Sequence, residues 1–110
     1  MTITIDDFQR LDMRVGMIVD VADLPEARKP SYRLRIDFGP LGTRHSAAAL
    51  KTEYARDELL HRQVICVVNL PPRRVAGVSS EVLVLAATEE DGKLRLLGPD
   101  PPAELGSRIT

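Results

Sequence analysis

The clearest alternation of apolar and polar side chains lies in YRLRIDFG, residues 32–39. Apolar side chains recur there at every second position, and Arg33 and Arg35 fall between them. Successive side chains of a β-strand point to opposite faces, so this period predicts a strand with one buried face. Arg33 and Arg35 are predicted to lie together on the outer face.

The pattern elsewhere predicts further short strands and two short helices. Strands are expected at residues 13–24, 43–50, 63–70, 81–88 and 93–98, with EEDG turning the last two into a hairpin. Residues 4–11 are expected to form a helix capped by Thr4 and Asp7, and residues 51–62 to contain another.

The first predicted strand has two features that bear on the fold. Its apolar positions recur with period two, which predicts one shared face for Val15, Met17, Val19 and Val21. Gly16 interrupts this run, and a glycine inside a strand often marks a bend or a bulge.

The order of these elements favours one mainly β domain over residues 1–110. Five or six short strands, with a short helix between the third and fourth, fit a five-stranded Greek-key barrel of the OB type with a short N-terminal helix. A ferredoxin-like sandwich would need two full amphipathic helices. Strands two and three of an OB barrel usually form the ligand surface, which makes Arg33 and Arg35 candidate binding residues.

Composition and length place the chain among ordinary globular proteins. It has 110 residues, 44% of them hydrophobic and 28% charged, with a formal net charge of -1. No apolar run is long enough for a secretory signal or a membrane span, and one cysteine cannot form an internal disulfide. The chain is therefore expected to be cytoplasmic and not inserted in a membrane.

The charges are unevenly distributed along the chain. Residues 28–74 carry ten basic and four acidic side chains, whereas the flanking segments have net charges of -4 and -3. Such segregation could form a basic face on a nearly neutral protein, or it could be chance variation over a solvated surface. Both interpretations remain open on charge alone.

Catalytic chemistry finds little support in the sequence. There is no nucleophile elbow, phosphate-binding loop, dinucleotide-binding glycine pattern or histidine pair at metal-ligand spacing. His45 and His61 lie far apart, and Cys66 within VICVV is expected to be a small core residue. We therefore expect a protein that is not an enzyme, with no cofactor and no metal.

An arginine pair follows two prolines in NLPPRRVAGVSS, residues 69–80. Pro71 and Pro72 fix two φ angles and remove two backbone donors, so the chain should carry Arg73 and Arg74 on a stiff turn. Guanidinium groups held in this way are suited to bidentate contact with phosphate. The alternative is a turn with two solvated arginines.

The small side chains of SAAAL, residues 46–50, also allow two interpretations. They could leave a shallow apolar concavity between bulkier neighbours, which is a feature of protein-binding sites. They could instead allow tight packing of the backbone at a bend of the barrel.

Three motifs in order, LDMRVGMI, YRLRIDFG and NLPPRRVAGVSSEVLVL, resemble the tRNA-binding domain family. The resemblance covers the whole chain. The start DDFQRLDMRVG, the segment PEARKPSY and the ending LLGPDPP resemble its CsaA-type subgroup of free-standing secretion chaperones. The resemblance implies an OB barrel and a homodimer formed through segments near both termini.

The resemblance also implies a ligand surface along residues 69–80. Asn69, Pro72, Arg74, Gly77 and Ser80 occupy the family's asparagine, proline, basic, glycine and serine positions. The chain departs from the general pattern at Pro71, where the family has lysine, and at Val82 and Leu83, where it has glycine and methionine. Together with nearby basic residues, the candidate RNA- or peptide-binding set is Arg28, Lys29, Arg33, Arg35, Asn69, Arg73, Arg74 and Ser80.

Two functions follow from these features. The first is a CsaA-like, export-related chaperone that binds unfolded precursor proteins, with tRNA as a second ligand and the secretion ATPase as a candidate partner. The alternative is a structure-specific tRNA-binding protein without a chaperone role. Aromatic residues make up only 4% of the chain, which favours recognition of a folded RNA over stacking of single-stranded bases.

Overall fold

The computed structural model describes all 110 residues as nine strands and two short helices. The helices are α1 (Ile5–Gln9) and α2 (Arg56–Leu59), with a 3-10 turn at Gly39–Leu41. The strands are β1 (Met13–Asp23), β2 (Tyr32–Asp37), β3 (Thr43–Ala48), β4 (Gln63–Val67), β5 (Arg73–Val75), β6 (Val78–Ser80), β7 (Leu83–Val84), β8 (Ala86–Thr88) and β9 (Leu94–Leu96). The main sheet has five antiparallel strands in the order β3-β2-β1-β4-β7, and two separate two-stranded ribbons join β5 to β6 and β8 to β9.

The long strand β1 organises the sheet because it pairs with different neighbours along its length. Residues 17–23 pair with β2, and residues 13–17 pair with β4. The C-terminal segment lies beside the first half of β1, where Ile109 N–H donates to Met13 O at 2.9 Å. The two outer strands then meet, since Ser46 Oγ donates to Val82 O at 2.9 Å. This nearly closed barrel confirms the mainly β architecture predicted from the sequence.

The strict period of two predicted for β1 is wrong. Val15 and Val21 are buried, but Met17 and Val19 are only half-buried. The register with β2 shifts between Ile18 and Asp20, so one extra residue, Val19, bulges out of the ladder. The irregularity predicted at Gly16 therefore lies three residues later, and every side chain beyond it changes face relative to a regular strand.

Gly16 has a different role, which is close packing. A Cβ atom at this position would lie 2.5 Å from Ile36 Cγ2 and 2.7 Å from Phe38 Cε1. Real Cβ atoms do not approach other atoms so closely, because the repulsion exceeds what small shifts can relieve. Only glycine lets the backbone of β1 lie against the side chains of β2 and the residue after it.

The barrel interior holds one cluster of buried side chains. Its members are Ile18, Val21, Tyr32, Leu34, Ile36, Phe38, Leu50, Leu59, Val64, Cys66 and Val82. Tyr32 brings a polar atom into this cluster, and its hydroxyl donates to Tyr54 O at 2.9 Å. The Tyr54 hydroxyl in turn accepts from Leu96 N at 3.0 Å, which ties β9 to the barrel. Buried tyrosines are favourable when the hydroxyl has such a partner.

Both predicted helices are confirmed at short length. The capping box of α1 is present, because Thr4 Oγ1 accepts from Asp7 N at 3.2 Å and Asp7 Oδ2 accepts from Thr4 N at 3.1 Å. In α2, Glu58 Oε1 accepts from Ala55 N at 2.8 Å. The reciprocal pair at α1 and the single bond at α2 satisfy N–H groups that have no partner within the helix.

The single strand predicted over residues 81–88 is wrong. It divides into β7, which pairs with β4, and β8, which pairs with β9. Leu85 lies at the division: its N–H donates to Ile65 O at 2.9 Å, and its carbonyl accepts from Leu97 N at 3.3 Å. Residues 82–87 are all apolar, so the change of partner at Leu85 leaves no signal in the sequence.

We expect Gly16→Ala to lower the free energy of unfolding by about 1–3 kcal/mol, because its methyl group collides with Ile36 and Phe38. Denaturant unfolding followed by circular dichroism measures the change. Phe38→Leu removes one colliding ring edge, so the double variant should lose less than the sum of the two single variants. An unchanged unfolding midpoint for Gly16→Ala would contradict the close approach.

Burial raises the pKa of the Cys66 thiol from 9.0 to about 12. The unfolded chain then releases this proton at a lower pH than the folded chain. The contribution of this thiol to the free energy of unfolding should therefore be constant well below pH 9 and fall as the pH rises from about 9 toward about 12, by at most about 1.4 kcal/mol per pH unit. Urea unfolding across this range should show a shallower decline for Cys66→Ala; equal slopes would refute the burial of the thiol.

Candidate binding site

The stretch that carries the arginine pair is a tight β-hairpin, here called the arginine hairpin (residues 73–80). Arg73 lies opposite Ser80, and Arg74 lies opposite Ser79. The two turn residues, Ala76 and Gly77, have φ angles of 50° and 82°. Positive φ at both positions is the requirement of a type I′ turn, whose twist matches that of the flanking strands. The stiff turn predicted from the prolines is thus a short sheet.

Ser80 fixes the end of the arginine hairpin to β3. It is only 5% exposed, and its hydroxyl oxygen accepts from Ala47 N at 3.1 Å. The adjacent Glu81 adds two contacts with His45: its N–H donates to His45 O at 2.8 Å, and its Oε1 accepts from His45 N at 2.8 Å. These bonds hold the second strand of the hairpin in place.

A basic recess of about 700 Å³ lies between the arginine hairpin, the loop that follows β1 and the end of β3. Ala47, Ala48 and Ala49 line one part of it, so the small residues of SAAAL border a concavity rather than serving only tight packing. Four basic residues also line it, namely Arg28, Lys29, Arg73 and Arg74. The fold therefore brings the first two of these cations close to the last two, although more than forty positions separate the two pairs in the sequence.

The four cations of the basic recess are free of ion pairs. All four are exposed, and none has a carboxylate oxygen within 4.0 Å, whereas Lys51, Lys93 and Arg95 each pair with an acid. One acid, Glu26, also lines the recess. Four unpaired cations against one acid leave an excess of positive charge that attracts anionic ligands.

Arg33 and Arg35 both lie on the outer face of β2, as the alternation predicted, but their neighbours differ. Arg33 pairs across the sheet with Ala22 and Ala47. Arg35 pairs with Asp20 and His45, and Glu81 contacts His45 from the other side. Arg33 also borders the turn of the arginine hairpin, in a shallow pocket that it shares with His45 and Glu81.

An apolar groove of about 450 Å³ lies beside the base of the arginine hairpin. It is lined by residues 70–73 and 80–83, including Leu70 and Leu83, which are 42% and 41% exposed. Arg73 lines this groove as well as the basic recess. The sequence suggested an apolar concavity only as one of two interpretations of SAAAL, and this groove was not predicted. The departures from the family pattern at Pro71, Val82 and Leu83 were the available signal.

Asn69 lies at the start of the link to the arginine hairpin and faces the N-terminal segment. Its Oδ1 accepts from Asp12 N at 2.9 Å, and its Nδ2 donates to Arg10 O at 2.7 Å. Both the oxygen and the nitrogen of the side-chain amide thus form hydrogen bonds with backbone groups.

A terminal surface combines α1 with the C-terminal strand segment. It is lined by Ile5, Phe8, Gln9, Leu11, Arg108, Ile109 and Thr110. Ile5 is 68% exposed and Leu11 39% exposed, so apolar side chains face outward here. This is the region near both termini where the resemblance implies a homodimer.

Other reactive side chains lie apart from one another. Cys66 is buried, with its pKa raised to about 12 by desolvation, and a thiol at that pKa is a poor nucleophile near neutral pH. No group of three or more His, Cys, Asp and Glu side chains is placed to hold a metal ion.

None of the helices has the length and apolar character needed to span a bilayer.

The nearly closed five-stranded barrel and the ligand-sized recess beside strands two and three define an OB-type binding domain. Residues 13–108 match the model of the family described as "Putative tRNA binding domain", and the chain belongs to that family. Methionine–tRNA ligase of Thermococcus onnurineus is 44% identical over 105 residues, which are 94% of this chain and 14% of the ligase. The chain thus spans about one-seventh of the curated relatives it matches.

Two solved structures match over their whole length. The CsaA chaperone protein of Picrophilus torridus is 46% identical, with a TM-score of 0.91, and the match covers 99% of this chain and 100% of that one. The chaperone CsaA of Bacillus anthracis is 41% identical, with a TM-score of 0.94, and the match covers 100% of both chains. These similarities confirm the predicted OB fold and the tRNA-binding family, and they support the CsaA-type subgroup.

We expect Ala76→Asn to raise the free energy of unfolding by about 0.5–1 kcal/mol. Ala76 has a φ of 50°, a conformation that asparagine adopts more readily, and Asn-Gly is a preferred type I′ pair. Thermal and urea unfolding measure the change. Ala76→Val is the opposing control and should lower stability, since a β-branched residue is strained at positive φ; equal stabilities would exclude the type I′ turn.

Proposed function

We propose that this protein is a cytoplasmic, homodimeric chaperone of the CsaA type that binds unfolded export precursors and also binds tRNA. One observation carries the proposal: an apolar groove and a basic recess both border the arginine hairpin. A polypeptide and a polyanion would therefore find adjoining surfaces that meet at Arg73. The full-length similarity to two CsaA chaperones supports the first ligand, and the tRNA-binding family supports the second.

The apolar groove fits an extended polypeptide by its chemistry. Leu70 and Leu83 expose apolar surface at its sides, and Pro71 and Pro72 present ring carbons without backbone donors. Arg73 and Glu81 supply one charge of each sign along the lining. Apolar surface with a few charged groups suits many unfolded segments, because it demands no particular sequence.

The basic recess fits the backbone of a folded RNA. Arg28, Lys29, Arg73 and Arg74 can neutralise phosphates, and Arg33 extends the positive surface beside the hairpin. No aromatic side chain lines the recess, so base stacking is not available there. Recognition would rest on shape and charge, which agrees with tRNA as the ligand.

A tRNA-binding protein without a chaperone role is the second candidate. The similarity to methionine–tRNA ligases favours it, because the matched region of those enzymes belongs to the same family. The absence of the family lysine at Pro71 weakens it, since one basic contact is lost. The secretion ATPase would be a partner only of the chaperone.

The homodimer rests on the terminal surface. Its exposed side chains Ile5 and Leu11, with the half-buried Ile109, form an apolar patch that a second copy would cover. Sedimentation equilibrium should show a dimer that Leu11→Glu shifts to monomer; a monomeric wild type would remove this part of the proposal.

The two ligand surfaces can be tested in one set of titrations. Purified protein is titrated with folded total tRNA and with an unfolded secretory precursor, at low and at physiological salt. Arg73→Ala/Arg74→Ala should weaken tRNA binding about 10- to 100-fold and reduce the slope of log K against log salt by about 2, because two phosphate contacts are lost. Leu70→Ser/Leu83→Ser should weaken precursor binding and leave tRNA binding unchanged.

Matched controls separate these effects from charge and solubility. Arg56→Ala/Lys93→Ala removes the same charge from exposed positions outside the recess, and Leu41→Ser/Leu97→Ser removes leucines of similar exposure outside the groove. Neither control should change binding. If wild-type protein binds tRNA but no precursor, the second candidate is correct; if it binds neither ligand, both are wrong.

A further inference from the structure

The link between β4 and the arginine hairpin has little support from the backbone. Val68 N–H donates to Asp12 O at 2.8 Å, but residues 69–72 form no backbone–backbone hydrogen bond. Pro71 and Pro72 have no N–H to donate. The ladder resumes only at Arg73, opposite Ser80. Four residues thus lead to the two arginines without any backbone–backbone hydrogen bond.

The Asn69 side chain supplies the missing attachment. Its amide bonds to Asp12 N and Arg10 O, at 2.9 and 2.7 Å, which joins the link to the segment after α1. That segment is itself held: Arg14 Nε donates to Asp12 Oδ1 at 2.6 Å, and Arg108 Nη2 donates to Gln9 O at 2.8 Å. The anchor of the link is therefore a segment that is itself bonded to β1 and to the C-terminal segment.

We propose that Asn69 is a positioning residue that holds the entry of the arginine hairpin, so that Arg73 and Arg74 remain beside the basic recess. This inference rests on the proposed function, since the arginines matter only if the recess binds a ligand. Ser80 and Glu81 hold the other end of the hairpin to β3. With both ends attached, the two guanidiniums are presented together and lose little freedom on binding.

The geometry distinguishes positioning from direct contact. Both polar ends of the Asn69 amide are already bonded to backbone groups of the N-terminal segment. Asn69 lines neither the basic recess nor the apolar groove. Its effect on a ligand must therefore pass through the residues that follow it.

Gln63 provides a matched control for the test. Its amide forms the same two-point contact with one backbone segment, donating to Ala103 O at 2.7 Å and accepting from Ala103 N at 2.9 Å. Gln63 lies at the start of β4, at the opposite end of that strand from Asn69. Gln63→Ala and Asn69→Ala should lose similar stability, but only Asn69→Ala should weaken binding of folded total tRNA, by about five- to tenfold. Equal losses of affinity in the two variants would overturn the inference.

A double-mutant cycle identifies the route of the effect. In the background of Arg73→Ala/Arg74→Ala, adding Asn69→Ala should change tRNA affinity by less than twofold, because the residues it positions are gone. The same five- to tenfold loss in both backgrounds would mean that Asn69 contacts the ligand directly, and would overturn the inference.

Hydrogen exchange separates this inference from the proposed function. Without ligand, Asn69→Ala should speed amide exchange within residues 73–80, whereas Gln63→Ala should not. Faster hairpin exchange in a protein that binds neither tRNA nor precursor would refute the proposed function and retain the anchor. Unchanged hairpin exchange, with ligand binding intact in Asn69→Ala, would refute the anchor and retain the proposed function.

Discussion

The close approach at Gly16 is the constraint on which the barrel depends. Because no side chain separates β1 from Ile36 and Phe38, one strand can curve over the core and serve two neighbours in turn. The bulge at Val19 then adjusts the register for the second half of the strand. Without this curvature the outer strands of the sheet would not meet, and the sheet would remain open with its edges exposed.

Closure of the barrel brings together the parts of the binding site. The loop after β1, the end of β3 and the arginine hairpin are distant in sequence, yet all three border the basic recess. The hairpin reaches this position because Ser80 is buried against β3 and Asn69 is bonded to the N-terminal segment. The family pattern places both of these polar residues in the ligand loop, but their polar atoms form hydrogen bonds within the protein. The exposed cations remain available to bind a ligand.

The sequence predicted what depends on local periodicity. The strand YRLRIDFG, the capped first helix and the outward arginines followed from alternation and capping chemistry, and they agree with the structure. It could not predict features that depend on distant partners. The bulge at Val19 is set by β2, the division at Leu85 by Ile65 and Leu97, and the apolar groove by two segments that meet only after folding.

Arg73 borders both the basic recess and the apolar groove, so one guanidinium faces two kinds of surface. It can form its planar pair of hydrogen bonds with only one anion at a time. A phosphate drawn toward the recess and a carboxylate carried by a polypeptide in the groove would compete for it. The two surfaces are then not independent: the more acidic the bound polypeptide, the more strongly it would displace RNA from the same protomer.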